Sequence, residues 1–256
     1  DAHIICTPDQ LEEEFTKVLE FLKYIMKKFG IEKDIWYQFS KSDSKNKEKY
    51  IQDKKAWESS QKMMKKILDK SKLKYIEAEG EAAFYGPKLD LQYKDVYGKE
   101  DTLLTIQIDF ALPERYNMTY KDKDNKLKRP IVIHRSSTGT TERMMSFLLE
   151  KYQGSLPLWL SPVQVKVLPM TDRNVKKSEE VSSKLKESGM RVEIDDDDEP
   201  ISKKVRTAQL EKVNYMVTIG DKEESSNSLA IRSRDGKVKF NVKLNDFINN
   251  LKKEIK

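Results

Sequence analysis

Lys88-Leu-Asp-Leu-Gln-Tyr93 and Thr105-Ile-Gln-Ile-Asp-Phe110 alternate residue by residue between apolar and polar side chains. A period of two marks strands: Leu89, Leu91 and Tyr93 share one face, and Ile106, Ile108 and Phe110 share one face of the next strand. The opposite face carries Lys88, Asp90 and Gln92, then Thr105, Gln107 and Asp109. Two readings of that polar face stand open. It is bathed by solvent, the common case for antiparallel sheets, or it is the floor of a site for a polar ligand. The stretch Glu79-Gly-Glu-Ala-Ala-Phe-Tyr-Gly-Pro87 precedes the first of these strands as a loop with hinge glycines and one aromatic hydroxyl, Tyr85.

Upstream, Thr7-Pro8-Asp9-Gln10 has the marks of a helix start: Thr7 as cap, Pro8 at the first helical position, Gln10 completing a capping box. Leu11, Phe15, Val18, Leu22, Ile25 and Phe29 then recur at helical spacing, and Gly30 ends the run. A short strand is expected over 35–39, a polar loop over 40–49, and a second helix over 50–68 that buries Ile51, Trp57, Met64 and Ile67. Downstream, Pro130-Ile-Val-Ile-His134 reads as a strand closed by His134. Gly139-Thr-Thr-Glu-Arg143 reads as the start of a helix ending near Tyr152.

Gly154-Ser-Leu-Pro-Leu-Trp-Leu-Ser-Pro162 breaks the pattern and suggests a domain boundary. Beyond it, strands are expected over 163–168, 191–194 and 215–219, helices over 175–187 and 201–213, a hairpin over 229–241 around Asp235-Gly236, and a closing helix over 245–255. Strands alternating with helices argue an α/β domain with a mixed sheet. The acidic run from Asp195 to Glu199 reads as a solvated loop.

Charged residues make up 36% of the 256 and hydrophobic ones 37%. Mean hydropathy is −0.76. No run approaches the roughly 18 apolar residues of a membrane span. One cysteine excludes an internal disulfide framework and suits a reducing cytoplasm. The net charge of +6 fits either a lysine-rich solvated surface or a polyanionic partner such as nucleic acid. A first residue that is Asp rather than Met suggests a fragment or a processed form.

Only two histidines are present, His3 and His134, and both sit in motif-like stretches. Imidazole is the commonest side-chain metal ligand, but a catalytic zinc site takes three protein ligands plus an open position. Two histidines therefore hint at a site with a ligand still to be supplied. Cys6, in a small-residue stretch, reads as a packed thiol rather than that ligand. Arg143 falls in the first turn of its helix, where the macrodipole disfavours a cation unless bound phosphate faces it. Its planar, permanently charged group suits forked contacts to phosphate.

Asp1-Ala-His-Ile-Ile-Cys-Thr7, Phe84-Tyr-Gly-Pro-Lys88, Thr105-Ile-Gln-Ile-Asp-Phe110 and Ile133-His-Arg135 with Gly139-Thr-Thr-Glu-Arg143 together resemble, in order and spacing, the threonyl-tRNA synthetases. The last section looks like that family's anticodon-binding domain, so the resemblance covers essentially the whole chain. It implies part of an α+β class II antiparallel sheet with helices over 1–156, and an α/β anticodon-binding domain over 157–256. The third class motif matches 130–150, and the first two have no match here. The implied activity is ATP-dependent activation of threonine and its transfer to tRNA(Thr) by a longer protein, a cytoplasmic homodimer, with this chain inactive alone.

Carried over by position, His3 and His134 correspond to ligands of one Zn²⁺, with the third ligand upstream of this chain. Asp1, Tyr85 and Gln107 correspond to the threonine pocket. Arg143, Thr140 and Thr105 correspond to contacts with ATP and its Mg²⁺, and Lys88 could face phosphate or the tRNA terminus. Glu223, Arg206 and Arg232 correspond to anticodon contacts, where carboxylates and guanidinium groups read base edges. Two stretches depart from the family pattern. Asp101-Thr-Leu-Leu104 puts Thr102 where a glutamine is expected near ATP, and Asp197 and Asp198 stand where Arg and Asn are usual. The alternatives are another class II enzyme such as the prolyl one, whose amino acid offers a metal no hydroxyl, or a noncatalytic RNA-binding paralogue.

Overall fold

The computed structural model describes residues 1–255, and the chain falls into two compact units, Asp1–Phe147 and Leu148–Lys256. The first unit is built on β1 (Ala2–Cys6), α1 (Leu11–Phe29), β2 (Ile35–Lys41), α2 (Lys54–Lys70), β3 (Tyr75–Glu79), β4 (Lys88–Lys94) and β5 (Glu100–Asp109). A short α3 (Leu112–Arg115), a small ribbon of β6 (Tyr120–Lys121) and β7 (Leu127–Lys128), β8 (Ile131–Ser136) and α4 (Thr141–Tyr152) follow. Six strands form one sheet in the order β1-β8-β5-β4-β2-β3. Every neighbouring pair is antiparallel except β2 and β3 at the edge, which are parallel. The expected antiparallel sheet with helices is present.

Helix α1 packs on β1, β5 and β8, and α2 packs on α1. Its apolar stripe (Leu11, Phe15, Val18, Leu22, Met26) is buried, as are Leu89, Leu91, Ile106 and Ile108. These side chains fill the apolar side of the sheet, so the alternation places all the polar strand residues on the other side. Of the two readings of that side, full solvation fails at its centre, while Lys88, Thr105 and Gln107 stay partly exposed. Asp90 and Asp109 have no exposed surface, Ser40 has none, and Gln92 is 8% exposed.

Several local expectations need correction. Helix α1 starts at Leu11, because Thr7 to Gln10 form a tight turn first: Gln10 N–H bonds the Thr7 carbonyl at 3.0 Å. Gln10 does reach back to Thr7 N–H, at 3.0 Å, as a capping box requires. The second helix starts at Lys54 rather than at Tyr50. Asp53 caps it by accepting from Ala56 N–H at 3.0 Å. Ile51 lies outside that helix and is exposed, whereas Trp57, Met64 and Ile67 are buried. His134 does not close its strand, since β8 runs on to Ser136.

The second unit holds β9 (Val165–Pro169), α5 (Val175–Glu187), β10 (Val192–Ile194), α6 (Ile201–Leu210), β11 (Tyr215–Ile219), α7 (Asp221–Ser226), β12 (Leu229–Ser233), β13 (Val238–Val242) and α8 (Leu244–Ile255). The sheet order is β10-β9-β11-β12-β13, parallel in the first three strands and antiparallel beyond, which is the expected mixed sheet. Val181 and Leu185 of α5 and Phe247, Ile248 and Leu251 of α8 join Val165, Val167, Val217 and Ile231 in its main core. Ala208 of α6 packs with Leu168 and Met216 in a smaller one.

Candidate functional site

Strand register aligns the first unit's candidates into a row. His3 pairs with His134, His134 with Gln107, Gln107 with Lys88, and Lys88 with Ser40. Directly paired residues project to the same side of a sheet, so five neighbouring strands each contribute one side chain. The His3 and His134 rings meet edge to face with centroids 4.5 Å apart. Asp1 is exposed and lies two residues before His3.

Tyr85 closes over this row from the loop before β4. Its ring lies 5.0 Å from that of His134, and its hydroxyl donates to Gln107 Oε1. Gly86 explains the close approach: a Cβ there would fall 1.7 Å from the Ile108 carbonyl oxygen. Pro87 O accepts from Ile108 N–H at 3.0 Å, and Tyr85 O accepts from Phe110 N–H at 3.4 Å, which ties the loop to β5. Burial, helped by the negative charge of Asp109, raises the Tyr85 phenol above its ordinary range, so it stays a donor.

Two buried carboxylates organise the floor, and neither was singled out from the sequence as a site residue. Asp109 Oδ2 accepts from His134 Nε2 at 2.8 Å, while its Oδ1 accepts from Ala111 and Leu112 N–H, both at 2.9 Å. This contact orients the His134 ring, as carboxylate partners do for metal-binding imidazoles. Asp90 accepts from Ser40 Oγ at 2.7 Å and Thr105 Oγ1 at 2.9 Å, and pairs with Lys88 Nζ at 2.8 Å. Gln107 Nε2 makes a long contact of 3.5 Å with Thr105 Oγ1. Their place on the polar face was legible, but their depth was not.

Arg143 and Thr140 stand apart from that network, at the start of α4. Thr140 Oγ1 accepts from Arg143 N–H at 3.3 Å, as an N-cap does. Gly139, at φ 69°, brings the turn within 2.7 Å of the Leu103 carbonyl oxygen, measured to a Cβ it lacks. The Arg143 guanidinium donates to the Thr102 carbonyl at 2.6 Å and lies 3.4 Å from Asp101. A cation in this first turn is thus offset by a carboxylate of the chain itself, from the stretch that departs from the family pattern. Thr102 turns its hydroxyl to Gln92 Oε1, 3.1 Å away.

In the second unit, Glu223 and Arg232 line one cavity of about 460 Å³ with Met170, Val205, Val238 and Phe240. Glu223 accepts from Gly220 N–H at 3.1 Å, and Arg232 donates to the Gly236 carbonyl at 3.1 Å. Arg206 lies exposed on α6 and is not part of that lining. Of the acidic run, Asp196 to Asp198 are exposed, and Asp195 holds buried Lys204 through its carbonyl at 3.0 Å.

The model of the tRNA synthetase class II core domain (G, H, P, S and T) matches residues 1–152. The chain belongs to the class II tRNA synthetases. The anticodon binding domain model matches 164–254. Among curated relatives, the threonine--tRNA ligase of Clostridium botulinum (strain Eklund 17B) is 52% identical over 255 residues, all of this chain and 40% of the relative. The enzyme of the same name from Clostridium perfringens (strain SM101) is 49% identical with the same coverage. A solved structure described as the RNA binding domain of threonyl-tRNA synthetase from Cryptosporidium parvum Iowa II matches with a TM-score of 0.88 at 33% identity, covering 98% of this chain and 62% of that one. The chain thus spans about two fifths of the length of the curated relatives it matches.

Within the class II match lie all nine first-unit candidates, and within the anticodon-binding match lie Arg206, Glu223 and Arg232. The donor set of the row suits a metal in part. Two imidazoles on directly paired strands can serve one ion, and Asp109 already holds one of them. No group of three or more His, Cys, Asp or Glu able to hold a metal occurs among the described residues. No helix among them is long and apolar enough to cross a membrane.

Proposed function

We propose that this chain is the threonine-selecting and anticodon-reading part of a threonine--tRNA ligase. The longer protein would join threonine to ATP as an adenylate, release pyrophosphate and pass the threonyl group to a terminal hydroxyl of tRNA(Thr). The observation that carries this reading is the row His3–His134–Gln107–Lys88 on one polar face, held by the buried carboxylates Asp90 and Asp109 and with Tyr85 bonded over it.

His3 and His134 would hold one zinc ion, with a third ligand from outside this chain. When bound, that ion would supply an open coordination position for the amino group and hydroxyl of threonine. The chain's own residues do the rest. Asp109 keeps His134 in one tautomer and one orientation. Tyr85 fixes the Gln107 amide, so both present polar atoms to the substrate side. Asp1, two residues before His3, suits an ammonium or hydroxyl group. A pocket built to bond a hydroxyl rejects valine, which has none, far better than an apolar pocket could reject threonine.

Lys88, anchored by Asp90, places a fixed cation on the floor. Arg143, Thr140 and Thr105 form the nucleotide side, served by ATP with Mg²⁺. Arg143 must exchange Asp101 for phosphate to act there, and its forked group then steadies charge that develops on the phosphates. Positioning and charge stabilisation suffice for such a transfer, and no covalent nucleophile is needed. We take the division between core and anticodon parts at 156/157, within the Gly154 to Pro162 stretch, while the compact units divide at 147/148. A cytoplasmic homodimer is the expected form of the longer protein.

Amino-acid-dependent pyrophosphate exchange by the longer protein tests this. Threonine should support exchange, with proline and valine near background. Exchange with proline would favour the prolyl reading. Absence of exchange with any amino acid, alongside retained RNA binding, would favour a noncatalytic paralogue.

A further inference from the structure

The cavity that holds Glu223 and Arg232 also holds an aromatic ring that no assignment uses. Phe240 is 65% exposed on β13. Its direction has a specific cause. Leu229 pairs with Val242, and Ile231 pairs with Lys239, so a single residue of β12, Ala230, faces two of β13, Phe240 and Asn241. This is a β-bulge, and Asn241 takes the left-handed conformation at φ 56° that asparagine tolerates. The bulge absorbs one residue of the alternation. Val238 and Phe240 therefore stay on the side of Ala230 and Arg232, lining the cavity. Lys239 and Val242 fall on the other side, with Tyr215 and Ile231. A regular strand would have put residue 242 beside Phe240 instead.

The cavity thus combines a carboxylate, a guanidinium and an open aromatic face in about 460 Å³. Carboxylates and guanidinium groups bond the edges of an unstacked base, and an aromatic face takes its π-surface. The cavity lies within the stretch that matches the anticodon binding domain, 164–254, which favours an RNA base over a peptide or a lipid. Resting on the RNA-binding reading above, we infer that Phe240 is the stacking platform for one unpaired base of the anticodon loop, whose edge Glu223 and Arg232 read.

The test uses the full 256-residue chain and a threonine-tRNA anticodon stem-loop carrying 2-aminopurine at each anticodon position in turn. The unmodified protein should quench one position, as stacking does. Phe240→Ala should abolish that quenching and weaken binding about tenfold, at the lower part of the range for base–aromatic stacking. Phe240→Leu should behave like alanine because it is apolar without a π-face, while Phe240→Trp should retain both signals. At 65% exposure none of these changes threatens the fold. If Phe240→Ala keeps wild-type quenching and affinity, or Phe240→Leu keeps both, the platform is refuted while RNA reading stands. If the unmodified chain binds cognate and scrambled loops equally, the RNA-binding reading fails, and the platform with it. A monomer–dimer shift in Phe240→Ala without loss of quenching would make the ring a self-association contact and refute the proposal.

Discussion

The two candidate surfaces differ in how their polar groups are held. On the first unit's sheet the side chains bond one another across strands: Asp90 gathers Ser40, Thr105 and Lys88, and Asp109 gathers His134 and two backbone N–H groups. On the second unit, Glu223 and Arg232 bond only backbone a few residues away, and the wall between them is apolar. The first arrangement fixes donors and acceptors before a ligand arrives, which suits a small molecule that must be told from a near-isostere. The second leaves charged tips free over an apolar floor, which suits bases that are splayed out and stacked on arrival.

The sharpest way to break the contrast is to remove a floor carboxylate. Asp90→Ala strands Lys88 on a largely buried face and should cost about 3 kcal/mol, as for a buried pair that loses one partner. Hydrogen exchange of β4 and β5 amides would show it, and unchanged protection would mean the network is not rigid. Glu223→Ala removes one helix cap and should cost under about 1 kcal/mol, visible only near α7.

Next in size is the substrate side. Tyr85→Phe leaves Gln107 Oε1 without its donor, and KM for threonine in the longer protein should rise about tenfold. A change confined to kcat would place Tyr85 outside the pocket. Asp101→Asn should have a smaller effect of opposite sign. It releases Arg143 for phosphate and should lower KM for ATP in pyrophosphate exchange about threefold, since exposed pairs are weak. A raised KM would show that Asp101 steers the arginine rather than competing for it.

The smallest effect concerns Cys6. Burial, then the charge of Glu14, pushes its thiol above the ordinary value of 9.0. A folded value raised above the unfolded one means that its share of stability is intact below the unfolded value and is lost as pH rises through the folded one. Wild type and Cys6→Ala should therefore show parallel urea midpoints below about pH 9 and diverge above it.

Much of the fold was legible because strong periodicity leaves little choice. The spans 175–187 and 215–219 coincide with α5 and β11, and the hairpin expected over 229–241 is β12 and β13. Elements without an apolar pattern were not. Helix α7 buries no residue, and β3 is an edge strand of Tyr-Ile-Glu-Ala-Glu whose charges keep it open to water. Asp53 was a readable cap three residues before Ala56, and weighing it would have started α2 correctly. The site was named by resemblance, but alternation could not decide whether its polar face was wet. That depends on the Tyr85 loop lying over it, a contact between residues far apart in sequence.

The central claim is that His3 and His134 act together as one half of a metal-centred threonine site. Elemental zinc analysis of the longer protein, unmodified and as His134→Ala, tests it most directly. The account predicts one zinc per chain in the first and less than about a tenth of that in the second, since losing one of three protein ligands opens the site. A full zinc complement in His134→Ala would contradict it.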